Sequence, residues 1–202
     1  MSARIEQVVI PGVFSLDGQD FDVENNVWLV GNDDEVLVID APHDVAPIVA
    51  AIGGRKVTAI VLTHGHNDHI TAAPALREAT GAPIWFNGAD RMLWDMTHPG
   101  AAPDEELRAG TRFDVAGTRL VALHTPGHSP GSTCLHAADL RTVFTGDTLF
   151  CGGPGATGRS FSDHPTIVDS IRAQLLSLHG DTVVKTGHGE DTTIAAELGN
   201  VR

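Results

Sequence analysis

The chain is 202 residues long, with 13 Lys plus Arg against 26 Asp plus Glu and a formal net charge of -13. A surface of that sign excludes an undirected grip on phosphate backbones or anionic lipid, which need clustered cations. With 42% hydrophobic residues, two cysteines and no apolar run near the roughly 18 residues of a membrane span, the composition describes one domain over 1–202, cytoplasmic and reduced, with neither nucleic acid nor membrane as a partner.

Segments 8–16, 27–30 and 36–39 read as successive strands, parted by Asp17-Gly18-Gln19-Asp20 and Gly31-Asn32-Asp33-Asp34. Residues 45–52 read as a helix stopped by Gly53-Gly54. Residues 57–62 form an unbroken, β-branched apolar run, the pattern of a strand covered on both faces. That run leads into His64-Gly65-His66-Asn67-Asp68-His69, placed here in a loop. A helix over 71–79 tolerates Pro74 in its first turn and stops at Gly81. A strand at 84–86, a short helix at 92–96 and a Pro/Gly connector at 99–103 follow. Segments 113–115 and 119–123 flank Ala116-Gly117 as a hairpin, and strands at 133–136 and 142–144 extend the series. Residues 152–155 read as an irregular loop. Ile167, Ile171, Leu175 and Leu178 recur at helical spacing behind Pro165, before a last strand at 183–184 and a closing helix over 192–198. Two batches of strands, each followed by helices, favour a layered α/β sandwich.

Eleven histidines, in a chain without tyrosine, raise the question of metal binding. His64-x-His66-x-Asp68-His69 sets four metal-ligand types within six positions. His64 and His66, two apart across a glycine, project to one side of an extended turn, while Asp68 and His69 lie far enough on to reach a second ion. His128 ends Thr125-Pro126-Gly127-His128, Asp147 ends Phe144-Thr145-Gly146-Asp147, and His188 lies in Thr186-Gly187-His188-Gly189. A glycine beside each lets the backbone turn tightly and leaves room for a metal and its water.

In this order, and with the strings TPGHSPGS (125–132), FTGDTLF (144–150) and Gly187-His188-Gly189, the chain resembles the metallo-β-lactamase superfamily. Within it the resemblance is to the glyoxalase II-like (hydroxyacylglutathione hydrolase-like) branch. The resemblance implies an α/β fold of the four-layer αββα sandwich type. It implies His64, His66 and His128 around one divalent ion, Asp68, His69 and His188 around a second, and Asp147 bridging. A set of nitrogen and oxygen donors suits zinc, with iron or manganese as alternatives. Two such ions share a water, bring its pKa from about 15.7 towards about 7, and so supply hydroxide to attack a carbonyl. Asp68 would also act in catalysis, accepting a hydrogen bond from that nucleophile. A thiolate with a pKa around 8.5 leaves without protonation, whereas an amine needs an acid that these motifs do not offer. A small-molecule thioester is therefore the least demanding substrate.

The alternatives are a persulfide dioxygenase using one iron held by a subset of the same residues, and a lactonase or β-lactamase. The common cysteine-using β-lactamases want Cys where Asp147 stands, and lactonases of this fold use a tyrosine that this chain lacks. The helical C-terminal region of full-length glyoxalase II has no counterpart before Arg202, and residues 151–159 match the branch's Gly-Arg loop only loosely. Mycothiol, bacillithiol or coenzyme A thus stand beside glutathione as carrier thiols. Arg159 and Lys185 read as surface charges and Cys151 as a bystander thiol. His43, His98, His124, His136, His164 and His179 read as structural or surface residues, and the oligomeric state is left open.

Overall fold

The N-terminal third forms one long hairpin and the start of a sheet in the computed structural model, which describes residues 2–202. Strands β1 (Arg4–Leu16) and β2 (Gln19–Gly31) pair antiparallel along their whole length and turn at Asp17-Gly18. They run beyond the apolar segments that predict them, because cross-strand pairing carries polar residues such as Asp20 and Glu24 along with it. β3 (Glu35–Ile39) adds to β2 antiparallel. Helix α1 (Val45–Ile52) then crosses over to β4 (Lys56–Val61), which lies parallel to β3. Asp44 caps α1 by accepting from Ala46 N, and Gly53 closes it with φ 64°, as its sequence foretells.

The short helix α2 (Asn67–Ile70) and α3 (Ala73–Thr80) lead to β5 (Ile84–Phe86). Helix α4 (Arg91–Thr97) leads to β6 (Glu105–Glu106), a two-residue edge strand too polar for periodicity to reveal. The first sheet thus has the order β1-β2-β3-β4-β5-β6.

The hairpin of β7 (Arg112–Val115) and β8 (Thr118–His124) turns at Ala116-Gly117, and β9 (Thr133–Ala137) and β10 (Thr142–Gly146) continue the meander. Residues 152–155, expected to be irregular, are partly ordered: β11 (Leu149–Phe150) pairs with β12 (Gly153–Pro154). Helix α5 (His164–Ser170) starts at an Asp163 cap and widens into a π-helical turn over Ile171–Leu175. β13 (Val183–Thr186) lies parallel to β10. The closing helix is shorter than expected, since Thr192 and Thr193 pair with β13 as β14 (Thr192–Thr193) before α6 (Ile194–Glu197) begins. The second sheet has the order β14-β13-β10-β9-β8-β7.

Side-chain alternation sets the layers. Val27, Leu29, Val36 and Val38 face the helices of the first half, among Ile48, Leu76 and Trp94. Trp28, Val30, Leu37 and Ile39 face the second sheet and meet Leu120, Leu135 and Phe144. On the far side, Cys134, Val143 and Val184 pack on Ile167, Ile171, Leu175 and Ile194. The result is the four-layer αββα sandwich. β4 is buried on both faces, and a bulge at Thr58 puts Val57 and Ile60 among the helix-side cluster while Ala59 and Val61 face the sheet. Among the described residues no helix is long and apolar enough to cross a membrane.

Candidate metal centre

The seven residues singled out by sequence come from segments far apart in the chain and meet at one edge of the sandwich. His64 and His66 follow the C-terminal end of β4, His128 the end of β8, Asp147 the end of β10 and His188 the end of β13. Asp68 and His69 do not lie in a loop, as expected, but on α2, which begins inside the motif. His66 Nδ1 lies 3.0 Å from both His64 Nε2 and His128 Nε2. His69 Nε2 lies 3.2 Å from His188 Nε2 and 3.6 Å from Asp68 Oδ2, with 3.3 Å between His188 Nε2 and Asp68 Oδ2. Asp147 stands between the two groups: its Oδ2 is 3.6 Å from His128 Nε2 and 3.4 Å from His188 Nε2, and its Oδ1 is 3.3 Å from His69 Nε2.

The outer face of each imidazole explains what the inner face offers. His64 Nδ1 meets the Thr63 hydroxyl at 3.1 Å, and that hydroxyl in turn donates to Asp40. His69 Nδ1 donates to Asp40 Oδ2 at 2.8 Å, His128 Nδ1 to the Ala156 carbonyl at 2.8 Å, and His188 Nδ1 to the Glu24 carbonyl at 2.8 Å. A neutral ring that spends its proton on Nδ1 turns a bare lone pair inward from Nε2. His66 is reversed, with Nδ1 inward and a buried Nε2 that has no partner. Lone pairs facing one another at 3.0 Å repel unless a cation lies between them. Donors around a tetrahedral ion with bonds of about 2.0–2.1 Å stand about 3.3 Å apart, close to the spacings here.

Electrostatics agrees. Burial holds His64 well below the ordinary imidazole value and takes His66 down to about 3, so protons cannot supply the missing attraction in the first trio. In the second group burial also opposes charge, but Asp147, Asp68 and Asp40 outweigh it and raise His69 well above its ordinary value. Asp147 likewise overcomes burial to bring His188 up to about 10. Against the same burial, the facing imidazoles hold Asp147 well below the usual carboxylate range and Asp68 at about 2. The pocket asks for positive charge. Asp68 Oδ1 and Asp147 Oδ1 are buried without a hydrogen-bond partner, as oxygens awaiting a ligand would be.

Three residues that brace the candidate site escaped the sequence reading. Asp40, at φ 63°, ties His69 to Thr63 N and Oγ1. Its only signal is an acidic residue directly after the apolar strand β3, the same placement as Asp147 after β10. Asp90 links the His64 and His128 loops, and Asn25 lies against the second group; neither has any local pattern. The remaining histidines mostly bond elsewhere, such as His98 to the Ile70 carbonyl and His124 to the Pro130 carbonyl. Cys151 is exposed, while burial pushes the Cys134 thiol up to about 11. Lys185 stacks over Trp28 and pairs with Asp191. Arg159 stacks over Phe21 and donates to Gln19 Oε1, clasping the 156–162 segment to the hairpin.

The profile of the metallo-beta-lactamase superfamily matches residues 21–188, most of the chain and all seven of these residues. This chain belongs to the metallo-β-lactamase superfamily. Hydroxyacylglutathione hydrolase GloC of Haemophilus influenzae is 32% identical over 190 residues, covering 86% of this chain and 90% of the relative. Among solved structures, TTHA1623 in a di-iron-bound form superposes with a TM-score of 0.78 at 29% identity, over 95% of this chain and 98% of the other. The BLEG-1 B3 metallo-beta-lactamase does so with 0.79 at 27% identity, over 95% and 98%. Names that differ this much on one superfamily fold leave the substrate to be argued from the site.

Proposed function

We propose that the chain is a dinuclear metal-dependent hydrolase that cleaves the thioester of a small thiol. The observation that carries this reading is the convergence of seven nitrogen and oxygen donors in two adjoining groups with Asp147 between them. His64, His66 and His128 would hold one ion, Asp68, His69 and His188 the other, and Asp147 would reach both. Divalent ions held there supply Lewis acidity and bring water to hydroxide near neutral pH.

The chain's own residues narrow the substrate. The donors open into a cavity of about 870 Å³. By strand alternation the hairpin presents Gly12, Phe14 and Val23 to it, and the Phe14 ring lies 5.1 Å from that of His66. Those three carry no proton for a leaving group, and Asp22 and Glu24, which also line the cavity, alternate to the opposite face of β2. A group that departs as an anion therefore fits best, and a thiolate does so at neutral pH. Asp68 Oδ1, buried and without a donor, is placed to accept a hydrogen bond from the attacking water. The name of the Haemophilus relative supports the same substrate class. Zinc is the metal favoured by the donor set, and the di-iron neighbour keeps iron in the comparison.

The test is metal analysis of protein purified without added metal, run beside thioesters of glutathione, mycothiol, bacillithiol and coenzyme A under nitrogen. We expect bound metal and cleavage of at least one thioester, both lost in His66→Ala. Retention of both by that variant sinks the reading, and oxygen uptake with a thiol persulfide, without thioester cleavage, replaces it with an oxidoreductase.

Asp40 offers a sharper check. In Asp40→Asn the backbone at φ 63° stays comfortable and an oxygen remains for Thr63 N, but an amide N–H now faces His69 Nδ1. His69 must then move its proton to Nε2, the atom turned toward the centre. Metal affinity is expected to fall about 10–100-fold, as read by competition with a chelator.

A further inference from the structure

Asn25 is wholly buried on β2, and its Nδ2 lies 3.1 Å from Asp68 Oδ2 and 3.3 Å from both His69 Nε2 and His188 Nε2. Those three atoms are 3.2–3.6 Å from one another, so Nδ2 stands as a fourth corner over the second group. An amide nitrogen has no free lone pair for a cation and can only donate, while the Asp68 carboxylate can only accept. The other end of the amide, Oδ1, accepts from His43 Nε2 at 2.8 Å. With its proton on Nε2, His43 donates this bond and holds the amide with Nδ2 turned toward Asp68. His43 is itself built in with care. Its backbone sits at φ 44°, a region that side chains other than glycine seldom adopt. Its ring fills a slot left by Gly12, where a Cβ would come within 2.2 Å of ring atoms.

We propose that Asn25, its amide held by His43, is a positioning residue that gives the two oxygens of Asp68 separate tasks. Oδ2 is turned toward His69 and His188 as a metal ligand, and Oδ1 is kept free to accept a hydrogen bond from the attacking water. The inference rests on the metallohydrolase reading above and deepens it. A carboxylate with one oxygen held by a buried N–H and the other buried without a partner is the arrangement such a division of labour requires. Without the Nδ2 donor, Asp68 is free to turn or to offer both oxygens to the ion, and the acceptor for water is lost.

Cobalt(II) is the probe, titrated into metal-free protein while its visible absorption is followed, with thioester turnover of the loaded enzyme as a second readout. Asn25→Ala is expected to weaken cobalt binding about 10–100-fold, to alter the visible spectrum and to lower kcat with KM largely kept. His43→Ala should do the same to a smaller degree, and the double variant should be no worse than Asn25→Ala, since His43 acts through Asn25. His43→Gln, whose amide can donate to Oδ1, should recover most of the loss. Gly12→Ala, which crowds the ring of an intact His43, should reproduce part of it.

Wild-type protein that takes up no cobalt overturns the metallohydrolase reading itself, and this inference with it. Wild-type protein that binds cobalt, matched by Asn25→Ala in affinity, spectrum and kcat, overturns the positioning role alone. So do losses that add fully in the double variant, or tighter cobalt binding by His43→Ala, which would mean that a freed Asn25 carbonyl joins the ligands. Should Asn25→Ala fail to fold, the contrast between His43→Ala and His43→Gln answers the same question: equal affinities reject the proposal, and recovery by Gln supports it.

Discussion

Gly187→Ala is expected to lower thioester turnover about 100-fold or more, the order of loss that follows when a reacting group is misplaced by about 1 Å. The backbone at Gly187 is not in the left-handed region, so alanine brings no conformational strain there. What it brings is a methyl group 2.2 Å from Asp147 Oδ1 and 2.9 Å from His69 Cε1. Real atoms do not approach so closely. The side chain that spans the two donor groups must therefore swing away from one of them. Metal content should fall with activity, while thermal unfolding stays near that of the parent. Gly199→Ala, with open space around the added methyl, is the control and should change neither. Full turnover in Gly187→Ala would mean that Asp147 does not need its present place.

The same glycine marks where sequence reasoning reached and where it stopped. Glycines beside the ligands were expected to let the backbone turn and to leave room. Gly127 and Gly146 do sit at positive φ, but Gly65 and Gly187 serve space alone. The HxHxDH cluster was legible because its spacing is local, and His128, Asp147 and His188 because each follows a strand end with a glycine beside it. The strands themselves were legible wherever both faces are buried, as at β4. Legibility failed where long-range pairing overrides local composition. The hairpin β1–β2 extends through exposed polar residues, and β14 takes two threonines from a segment that reads as helix.

The supporting residues were hidden for a related reason. Asn25 and Asp90 are ordinary polar residues in the sequence, and their meaning lies entirely in partners 18 to 163 residues away for Asn25 and 25 to 41 away for Asp90. Periodicity cannot show a buried amide on a strand whose run from Asn25 to Gly31 is buried on both faces. It can show only that the strand is interrupted by polar residues, which the pair Asn25-Asn26 does without saying why. Both asparagines turn out to tie β2 to the end of β13: Asn26 N donates to the Gly187 carbonyl and its Nδ2 to the carbonyls of Thr186 and Gly189. The first sheet and the second are thus joined at the edge where the metal donors meet.

Asp90→Ala is expected to be the most destabilising single change at this centre. Asp90 is fully buried just ahead of α4, and its carboxylate accepts from Gly65 N at 2.8 Å, Ser129 Oγ at 2.6 Å and Gly131 N at 2.5 Å. Two loops that present three of the histidines are thereby fastened to one side chain. Removing it orphans three buried donors at about 1–3 kcal/mol each, so a loss of about 4 kcal/mol is a moderate expectation. For a chain of this length each kcal/mol is worth about 2–4 °C, which gives a fall of about 8–16 °C in the melting temperature. Burial raises the Asp90 carboxyl above its ordinary pKa even though Ser129 and two backbone amides pull the other way. The charge is therefore disfavoured in place, and the neutral Asp90→Asn should lose less than Asp90→Ala. Its amide still turns one donor against the Gly65 N–H or the Gly131 N–H, so it cannot match the parent. Because His64, His66 and His128 are the donors these loops carry, their ion should be lost before the one held by Asp68, His69 and His188. Metal stoichiometry measured alongside thermal unfolding checks both halves: a melt within about 2 °C of the parent, or loss of both ions together, would show that Asp90 does not hold the two loops in register.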